Sequence, residues 1–300
     1  MNRRTLLLSA LGGAVTACTA PPERTVRIAA GEPGGVFLAF SELLAKRIQQ
    51  DQPNLRCTVV TTQGSVENIQ RLRDGNADLA LSLADVATSV AETQLRALGR
   101  VFENYTQFVV RASSPVRAVP DLAGRTIALG APGSGAAYFG KRLTAAAGLQ
   151  TQVEYLPLAE ALAALESGRI DALLWSGGIP TPALSELDSR IGLRLLPLDH
   201  LLPPLRRDHG TVYHQVQIPA GTYGLNPPVP TIGIADLVVC TPTLPGWLAS
   251  TVVNVLVRDA SALVPTQAVG TQFLDVRTLI NTAGIPVHPG AAATYRQLHG

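Results

Sequence analysis

The segment Thr126-Ile127-Ala128-Leu129-Gly130-Ala131-Pro132-Gly133-Ser134-Gly135 ends a short apolar run in a tight glycine-rich loop. The loop leads into a helix-like stretch, residues 136–147, that Gly148 closes. A strand, a glycine loop and a helix N-terminus form a generic anion cradle, because the first N–H groups of a helix lack intrahelical acceptors and the dipole favours negative charge. Each such contact contributes only about 0.3–1 kcal/mol, whereas micromolar affinity needs about 8 kcal/mol. We therefore expect other parts of the chain to complete any ligand site.

The loop does not match the common nucleotide-binding motifs. A P-loop requires Lys and then Ser or Thr after its second glycine, but Ala136 and Ala137 follow Gly135. A dinucleotide fingerprint requires a third glycine where this chain has Tyr138. On its own, the loop leaves a plain βα turn open as the alternative to an anion site.

The loop has a counterpart nearer the N-terminus. Residues 29–34 and 128–133 share the pattern A-x-G-x-P-G at an offset of 99 residues. Residues 75–78 and 168–171 share G-x-x-D at an offset of 93. Two weak matches at nearly the same offset indicate two similar βαβ units, although the turn residues that all such units share are the alternative explanation.

Apolar runs and helical spacings alternate along the chain, as in α/β proteins. Residues 200–216 are polar and are predicted to be irregular. Besides the apolar run before Gly130, strands are predicted at residues 26–30, 55–61, 78–83, 108–111, 153–156, 170–175, 193–197 and 231–240, and helices at 36–50, 65–74, 136–147, 158–167, 183–190, 247–264, 267–279 and at the C-terminus.

This alternation predicts an α/β fold of two lobes, each an open, mainly parallel sheet flanked by helices, with right-handed crossovers. Residues 25–113 and 232–300 are assigned to lobe 1, and residues 114–231 to lobe 2. Ligands bind such sheets at the carboxyl ends of the strands. The glycine loops of the two lobes are therefore expected to face each other across a ligand cleft.

The first 17 residues have the character of a signal peptide. Arg3 and Arg4 precede an apolar run over residues 6–15, which is too short to span a bilayer. The sequence V-T-A-C that ends at Cys18 resembles the lipobox of bacterial lipoproteins, which implies lipidation of Cys18, a tether over residues 18–24 and a place at the extracytoplasmic face of the membrane, in the periplasm or at the cell surface. A non-lipidated secretory leader is the alternative, and R-R-T-L-L also resembles a twin-arginine signal.

Composition and motifs argue against several classes of function. The formal charge of +2 comes from the leader, so the rest of the chain lacks the basic surplus of a nucleic-acid-binding protein. The five histidines form no H-E-x-x-H or zinc-type spacing, and there is no G-x-S-x-G elbow. We therefore expect no enzyme, no metal and no cofactor, with an enzyme on a similar two-lobed fold as the alternative. Cys57 and Cys240 are expected to be buried free thiols.

An ordered set of short motifs resembles the TAXI-type solute receptors of TRAP transporters, which are bacterial extracytoplasmic binding proteins. No single motif is specific, but together they run in the family's order from about residue 26 to the C-terminus. The matching pieces are G-G-V at 34–36, G-S-V-x-N at 64–68, G-x-x-D-L-A at 75–80, D-L-x-G-x-x-I at 121–127, G-x-P-G-S-G at 130–135, G-x-I-D-A at 168–172, G-x-P at 178–180, I-P-A-G-T-Y at 218–223 and H-P-G-A at 288–291.

The resemblance implies a type II-like periplasmic binding protein with its cleft between two lobes, acting as a monomer. Such a receptor hands a small anionic organic solute, of carboxylate, amino acid or 2-oxo acid type, to the membrane subunits of a TRAP permease. Two departures predict a more apolar cleft than is typical: Phe37-Leu38 replaces a tyrosine pair, and Leu83-Ala84 replaces Gln-Ser before Asp85. The alternatives are the substrate-binding lipoprotein of an ABC importer and a sensory receptor.

The two glycine loops are expected to hold the acid group of the ligand. We expect the backbone N–H groups of Gly133, Ser134, Gly135 and Ala136 to bind a carboxylate, helped by the Ser134 hydroxyl, which is also a plausible N-cap. Gly64 and Ser65 are expected to do the same from the other lobe.

Further residues are expected to complete the walls of the cleft. Gly34 and Gly35 are assigned to the ligand site, and Phe37 after them is expected to pack on the carbon skeleton of the ligand, with core packing as the alternative. Two positions have two interpretations each: Asp85 is a ligand contact or, as we favour, a helix N-cap, and Glu32 faces a ligand amine or is a solvated carboxylate. The second-lobe wall is assigned to Pro180 and Thr181, with Tyr223 either reaching the cleft or fastening a turn.

Overall fold

Strands and helices alternate along the computed structural model, which describes residues 24–90, 94–224, 227–266 and 271–299. The predicted signal peptide (1–17), lipidation site Cys18 and most of the tether lie outside these residues. The strands are β1 (Arg24–Ala29), β2 (Leu55–Val60), β3 (Leu79–Leu83), β4 (Arg96–Arg111), β5 (Thr126–Ala128), β6 (Gln152–Glu154), β7 (Ala172–Gly177), β8 (Leu193–Leu195), β9 (Tyr213–Ile218) and β10 (Val229–Cys240). The α-helices are α1 (Val36–Asp51), α2 (Ser65–Arg73), α3 (Ala84–Ala87), α4 (Gly135–Ala146), α5 (Leu158–Ser167), α6 (Pro182–Ile191), α7 (Leu202–His209), α8 (Gly246–Arg258), α9 (Val276–Leu279) and α10 (Pro289–His299).

The strands form one mixed sheet in the order β2-β1-β3-β10-β4-β7-β5-β6, with β8 beside β4 and β9 beside β10. The blocks β2-β1-β3 and β7-β5-β6 are each parallel, and the antiparallel pair β4 and β10 lies between them. We expected a separate sheet in each lobe, but the structure joins them. The reason is length: β4 has 16 residues and pairs with β10 along one part and with β7 along another. The α/β prediction is confirmed, whereas the lobe boundaries stay a prediction.

The sequence repeat is visible in equivalent hydrogen bonds of the two parallel blocks. In the first block, the amide of Arg27 on β1 donates to Asp78 Oδ2 at 2.8 Å. In the second, the amide of Thr126 on β5 donates to Asp171 Oδ2 at 3.2 Å. These pairs are related by the sequence offsets of 99 and 93 residues. In each block a carboxylate just before the third strand therefore fastens that strand to the first.

Apolar side chains from both faces of the sheet form the core. One cluster includes residues of both blocks, with Phe40 of α1 packed edge-on against Phe102 of β4 at a centroid distance of 5.2 Å. A second cluster lies between β7, α5 and α6, around Leu165 and Leu184. Among the described helices, none combines the length and apolarity needed to cross a membrane.

Several predicted elements have different limits in the structure. Residues 200–216 are not irregular: they contain α7 and the start of β9, an edge strand whose alternating exposure hides its pairing with β10. The helix predicted at 247–264 ends at Arg258 and continues as a 3₁₀ turn, Ala260–Leu263. The helix predicted at 267–279 is confined, among described residues, to Val276–Leu279. Cys57 and Cys240 are free thiols as predicted, although only Cys240 is fully buried.

Candidate functional site

A narrow pocket opens at the carboxyl ends of β1, β2, β3, β5 and β7, where the fold predicts a ligand. Its volume of about 50 Å³ corresponds to space for roughly four waters, at 10–15 Å³ each. The pocket therefore suits a ligand of only a few heavy atoms unless the cleft opens further. Its lining residues come from both parallel blocks and from β4: Gly31, Glu32, Gly35, Val36, Phe37, Gln63, Gly64, Ser65, Leu83, Asn104, Ser134, Gly135, Ala136, Trp175 and Ser176.

The N-terminus of α4 presents unpaired amides to this pocket. Ser134 is the N-cap, and its Oγ accepts a hydrogen bond from the amide of Ala137 at 3.0 Å. The amides of Gly135 and Ala136 have no acceptor within the part of the chain that the structure describes. Both residues line the pocket. These N–H groups are the donors that the glycine loop was expected to offer to a carboxylate, a role that stays a prediction.

Two further helices begin at the same pocket. Val36 and Phe37 open α1, Ser65 opens α2, and their amides also lack acceptors among the described residues. The Ser65 hydroxyl accepts a hydrogen bond from the amide of Leu83 at 3.0 Å, which ties α2 to the end of β3. Because each helix N-terminus carries about half a positive charge, three of them favour an anionic group in the pocket.

The two blocks touch directly at the mouth of the pocket. The carbonyl oxygen of Gly133 accepts hydrogen bonds from the amides of Val66 and Glu67, both at 3.1 Å. Gly64 has φ +121°, a conformation that L side chains rarely adopt, and it faces Ser134. A Cβ at Gly135 would lie 2.5 Å from Leu83 Cδ1. Gly133 is thus engaged with α2 through its carbonyl and, unlike its neighbours Ser134 to Ala136, does not line the pocket.

Phe37, Leu83 and Trp175 are the largest apolar side chains that line the pocket, and Phe37 is 8% exposed. Trp175 Nε1 donates to Thr181 Oγ1 at 3.0 Å, and that hydroxyl donates to the carbonyl of Gly178 at 2.8 Å. Thr181 therefore orients a pocket residue without lining the pocket itself. Pro180, the other residue assigned to this wall, is exposed and also lies outside the lining.

Three polar side chains of the pocket can accept further hydrogen bonds. Glu32 Oε2 accepts a hydrogen bond from the amide of Leu158, the first residue of α5, at 2.8 Å. Burial raises the pKa of Glu32 above its usual range, and this hydrogen bond partly opposes the rise. Asn104 Nδ2 faces the carbonyl of Ser176 at 3.5 Å, while Asn104 Oδ1 and Ser176 Oγ have no hydrogen-bond partner among the residues that the structure describes. None of the lining residues is Lys, Arg or His.

Three other predicted site residues, Gly34, Tyr223 and Asp85, lie away from the pocket lining. Gly34 is exposed, on the turn before α1. Tyr223 is buried, and its hydroxyl accepts from the amide of Thr181 at 2.9 Å and donates to Gln107, so it fastens a turn. That is the alternative weighed against its reaching the cleft.

Asp85 is buried in α3 behind the pocket, and Leu83, not Asp85, occupies the N-cap position of that helix. Asp85 Oδ2 accepts from the Tyr213 hydroxyl at 3.1 Å. Burial raises the pKa of Asp85 to about 6, against the opposing effects of Arg142 and Tyr213. The favoured N-cap interpretation of Asp85 is therefore wrong, and whether Asp85 contacts a ligand stays a prediction.

Sequence reasoning did not identify Asn104, Trp175, Ser176 and Gln63 as pocket residues. Trp175 and Ser176 lie near the carboxyl end of β7. Because ligands bind at the carboxyl ends of such strands, their position in the sequence could have identified them. Asn104 lies in the middle of β4, and only the pairing of β4 with β10 and β7 places it at the pocket. Glu32 was recognised as a candidate, and the structure places it in the lining.

Comparisons with known proteins agree on the fold. The sequence profile of the NMT1-like family matches residues 28–297. The alkanesulfonate-binding protein SsuA from Xanthomonas axonopodis pv. citri, solved bound to MOPS, is 22% identical over 92% of this chain and 85% of its own, with a TM-score of 0.52. A protein from Bordetella bronchiseptica RB50 is 16% identical over 94% and 100% of the two chains, with a TM-score of 0.58. A putative L-cystine ABC transporter protein from Listeria monocytogenes is 14% identical over 80% and 92%, with a TM-score of 0.53.

These structures share the architecture of periplasmic solute-binding proteins, so the predicted fold class is confirmed. At such low identities the likeness extends to the fold alone. Two of these neighbours are named as an alkanesulfonate-binding protein and as a putative L-cystine ABC transporter.

Proposed function

The chain belongs to the NMT1-like family, and we propose that it is an extracytoplasmic receptor that captures a small organic solute with an acid group and delivers it to a membrane permease. One observation carries the proposal: unpaired amides at the starts of α1, α2 and α4 meet at a single pocket. Buried N–H groups are costly without an acceptor. A carboxylate satisfies several of them at once and gains from the helix dipoles.

For the partner, we propose the membrane subunits of a TRAP-type permease, on the strength of the ordered TAXI-like motifs along the chain. The alternative is an ABC importer, because the fold is shared with proteins named as ABC transporter components. Reconstitution in proteoliposomes with the permease encoded beside the gene separates the two. Uptake driven by an imposed ion gradient without ATP supports a TRAP permease, and strict ATP dependence supports an ABC importer.

We further propose that Cys18 anchors the receptor to the extracytoplasmic face of the membrane as a lipoprotein, with the receptor acting as a monomer. The support is the lipobox-like sequence before Cys18 and the periplasmic location of binding proteins with this fold. Mass spectrometry of the mature N-terminus tests the anchor. A lipid-modified cysteine at position 18, lost together with membrane retention in Cys18→Ser, is expected, whereas a soluble product cleaved elsewhere would refute it.

The receptor function itself is tested by two measurements on the soluble chain from residue 24 onward. Small molecules released from the purified protein are identified by mass spectrometry, and a thermal-shift screen then covers amino acids, dicarboxylates and 2-oxo acids. A ligand at 100 times its Kd is expected to add about 2.7 kcal/mol to the free energy of unfolding. If no compound co-purifies and none raises the melting temperature, the protein is not a receptor for this class of solute.

A further inference from the structure

The pocket contains more hydrogen-bond acceptors than an acid ligand can use. A carboxylate has two oxygens and about four lone-pair sites, and Leu158 uses only one site on Glu32. The Asn104 side chain is 4% exposed and its Oδ1 has no partner. Asn104 Nδ2 lies 3.5 Å from the carbonyl oxygen of Ser176, which favours this orientation because the flipped amide would set two acceptor oxygens against each other. A buried acceptor without a donor destabilises the folded protein, and a ligand donor that pairs with it removes this cost.

Opposite charge is also missing from the pocket. Among the described residues that line it, Glu32 is the only ionisable one, so no described Lys, Arg or His side chain of the lining offsets its carboxylate. The lining combines the amide donors at the starts of α1, α2 and α4, which supply positive potential, with the acceptors of Glu32 and Asn104, which supply negative potential. The pocket is therefore polarised, with donors for an acid group and acceptors for a positively charged donor.

We propose that Glu32 and Asn104 bind the ammonium group of the ligand, so that the solute is a small amino-carboxylate zwitterion and not a simple carboxylic or 2-oxo acid. This inference rests on the proposed receptor function and specifies its solute class. An ammonium group offers three donors, enough for both acceptors. A 2-oxo acid has a carbonyl oxygen at the equivalent position, which would face Glu32 and Asn104 Oδ1 and repel both. The volume of about 50 Å³ favours a small zwitterion in this conformation.

The test compares molecules that differ only in the amino group, by isothermal titration calorimetry with the soluble chain from residue 24 onward. One set is alanine, lactate and pyruvate, another is glutamate, 2-hydroxyglutarate and 2-oxoglutarate, and glycine and β-alanine extend the first. At least one amino compound is expected to bind at least tenfold more tightly than its hydroxy and oxo partners. Glu32→Gln and Asn104→Leu are each expected to weaken its binding at least tenfold and to narrow the difference from the oxo acid. Glu42→Gln, on the exposed face of α1, is the charge-matched control and should leave all affinities within twofold.

The outcomes separate this inference from the receptor function. If hydroxy or oxo acids bind as tightly as the amino compound, or if Glu32→Gln leaves the ranking unchanged, the amine site is refuted and the receptor stands. A co-purified solute without an N–H donor would also refute the amine site and leave the receptor function standing. If nothing co-purifies and no compound binds, both proposals fail. The comparison among ligands uses the unsubstituted protein, so a variant that does not fold cannot obscure the result.

Discussion

Gly135→Ala is expected to prevent full closure of the pocket. The added Cβ would lie 2.5 Å from Leu83 Cδ1 and 2.7 Å from Ser65 Oγ, on the opposite side of the cleft. Carbon atoms pack at about 3.5–4.0 Å, so the Leu83 and Ser65 side chains, or the two sides that carry them, must move by roughly 1 Å at this point. Overpacking of this kind costs about 1–3 kcal/mol, which corresponds to an affinity loss of about 5- to 150-fold. Since opening the cleft relieves the clash, the free energy of unfolding without ligand should change little.

Isothermal titration with the strongest compound from the thermal-shift screen measures this loss. Gly140→Ala is the matched control, because it adds the same methyl group to the same helix against Leu174 and Leu129, inside one block. Its affinity should stay within twofold of the unsubstituted protein. Small-angle scattering at saturating ligand should show a larger radius of gyration for Gly135→Ala than for the control. Equal affinities of Gly135→Ala and the unsubstituted protein would refute the closed geometry.

Three further predictions concern the surroundings of the pocket. Burial raises the pKa of Asp85 from 3.8 to about 6, so the folded state holds this proton more tightly and stability is lost as the pH rises from about 4 to 6. Asp85→Asn keeps an acceptor for Tyr213 and should reduce this pH-dependent loss in the free energy of unfolding by roughly 3 kcal/mol. Urea unfolding at pH 4 and pH 7.5 measures the loss, and an unchanged pH dependence would contradict the prediction. Trp247 is 48% exposed, and Trp175 lines the pocket, so Trp247→Phe should retain the whole ligand-induced change in fluorescence. If this change disappeared in Trp247→Phe, Trp175 would not report on the pocket. Thr181→Val should destabilise the fold by about 1–3 kcal/mol in urea because it leaves the indole N–H of Trp175 unpaired, whereas Thr181→Ser should not, and equal stabilities would argue against this hydrogen bond.

Local sequence signals were sufficient for the repeated βα units. The predicted helix at 158–167 has the limits of α5, Leu158–Ser167, and the helix at 36–50 is one residue shorter than α1. Helical spacing and a closing glycine lie within a few residues of each other, so no distant contact is needed to recognise them. Gly168, which ends α5, has φ +81°, the left-handed conformation that a glycine accepts without strain.

The contents of the pocket depended on distant pairings that the sequence does not display. Asn104 lies opposite Ile234 of β10, 130 positions away, and only this register decides that its side chain reaches the pocket. The Gly133 carbonyl is taken by the amides at the start of α2, a contact between loops of different blocks. The site prediction therefore named several helix-start residues that line the pocket, and Glu32 as a candidate, but neither Asn104 nor Ser176.

The repeated loops also determine how a solute is oriented. Residues 29–34 and 128–133 are equivalent, yet position 32 carries Glu32 in the first copy and position 131 carries Ala131 in the second. A cleft between two identical loops would offer the same groups to both ends of a molecule and would accept it in either direction. A carboxylate in one copy alone removes this equivalence. At the proposed amine site, a solute with two unlike ends would therefore bind in a single orientation.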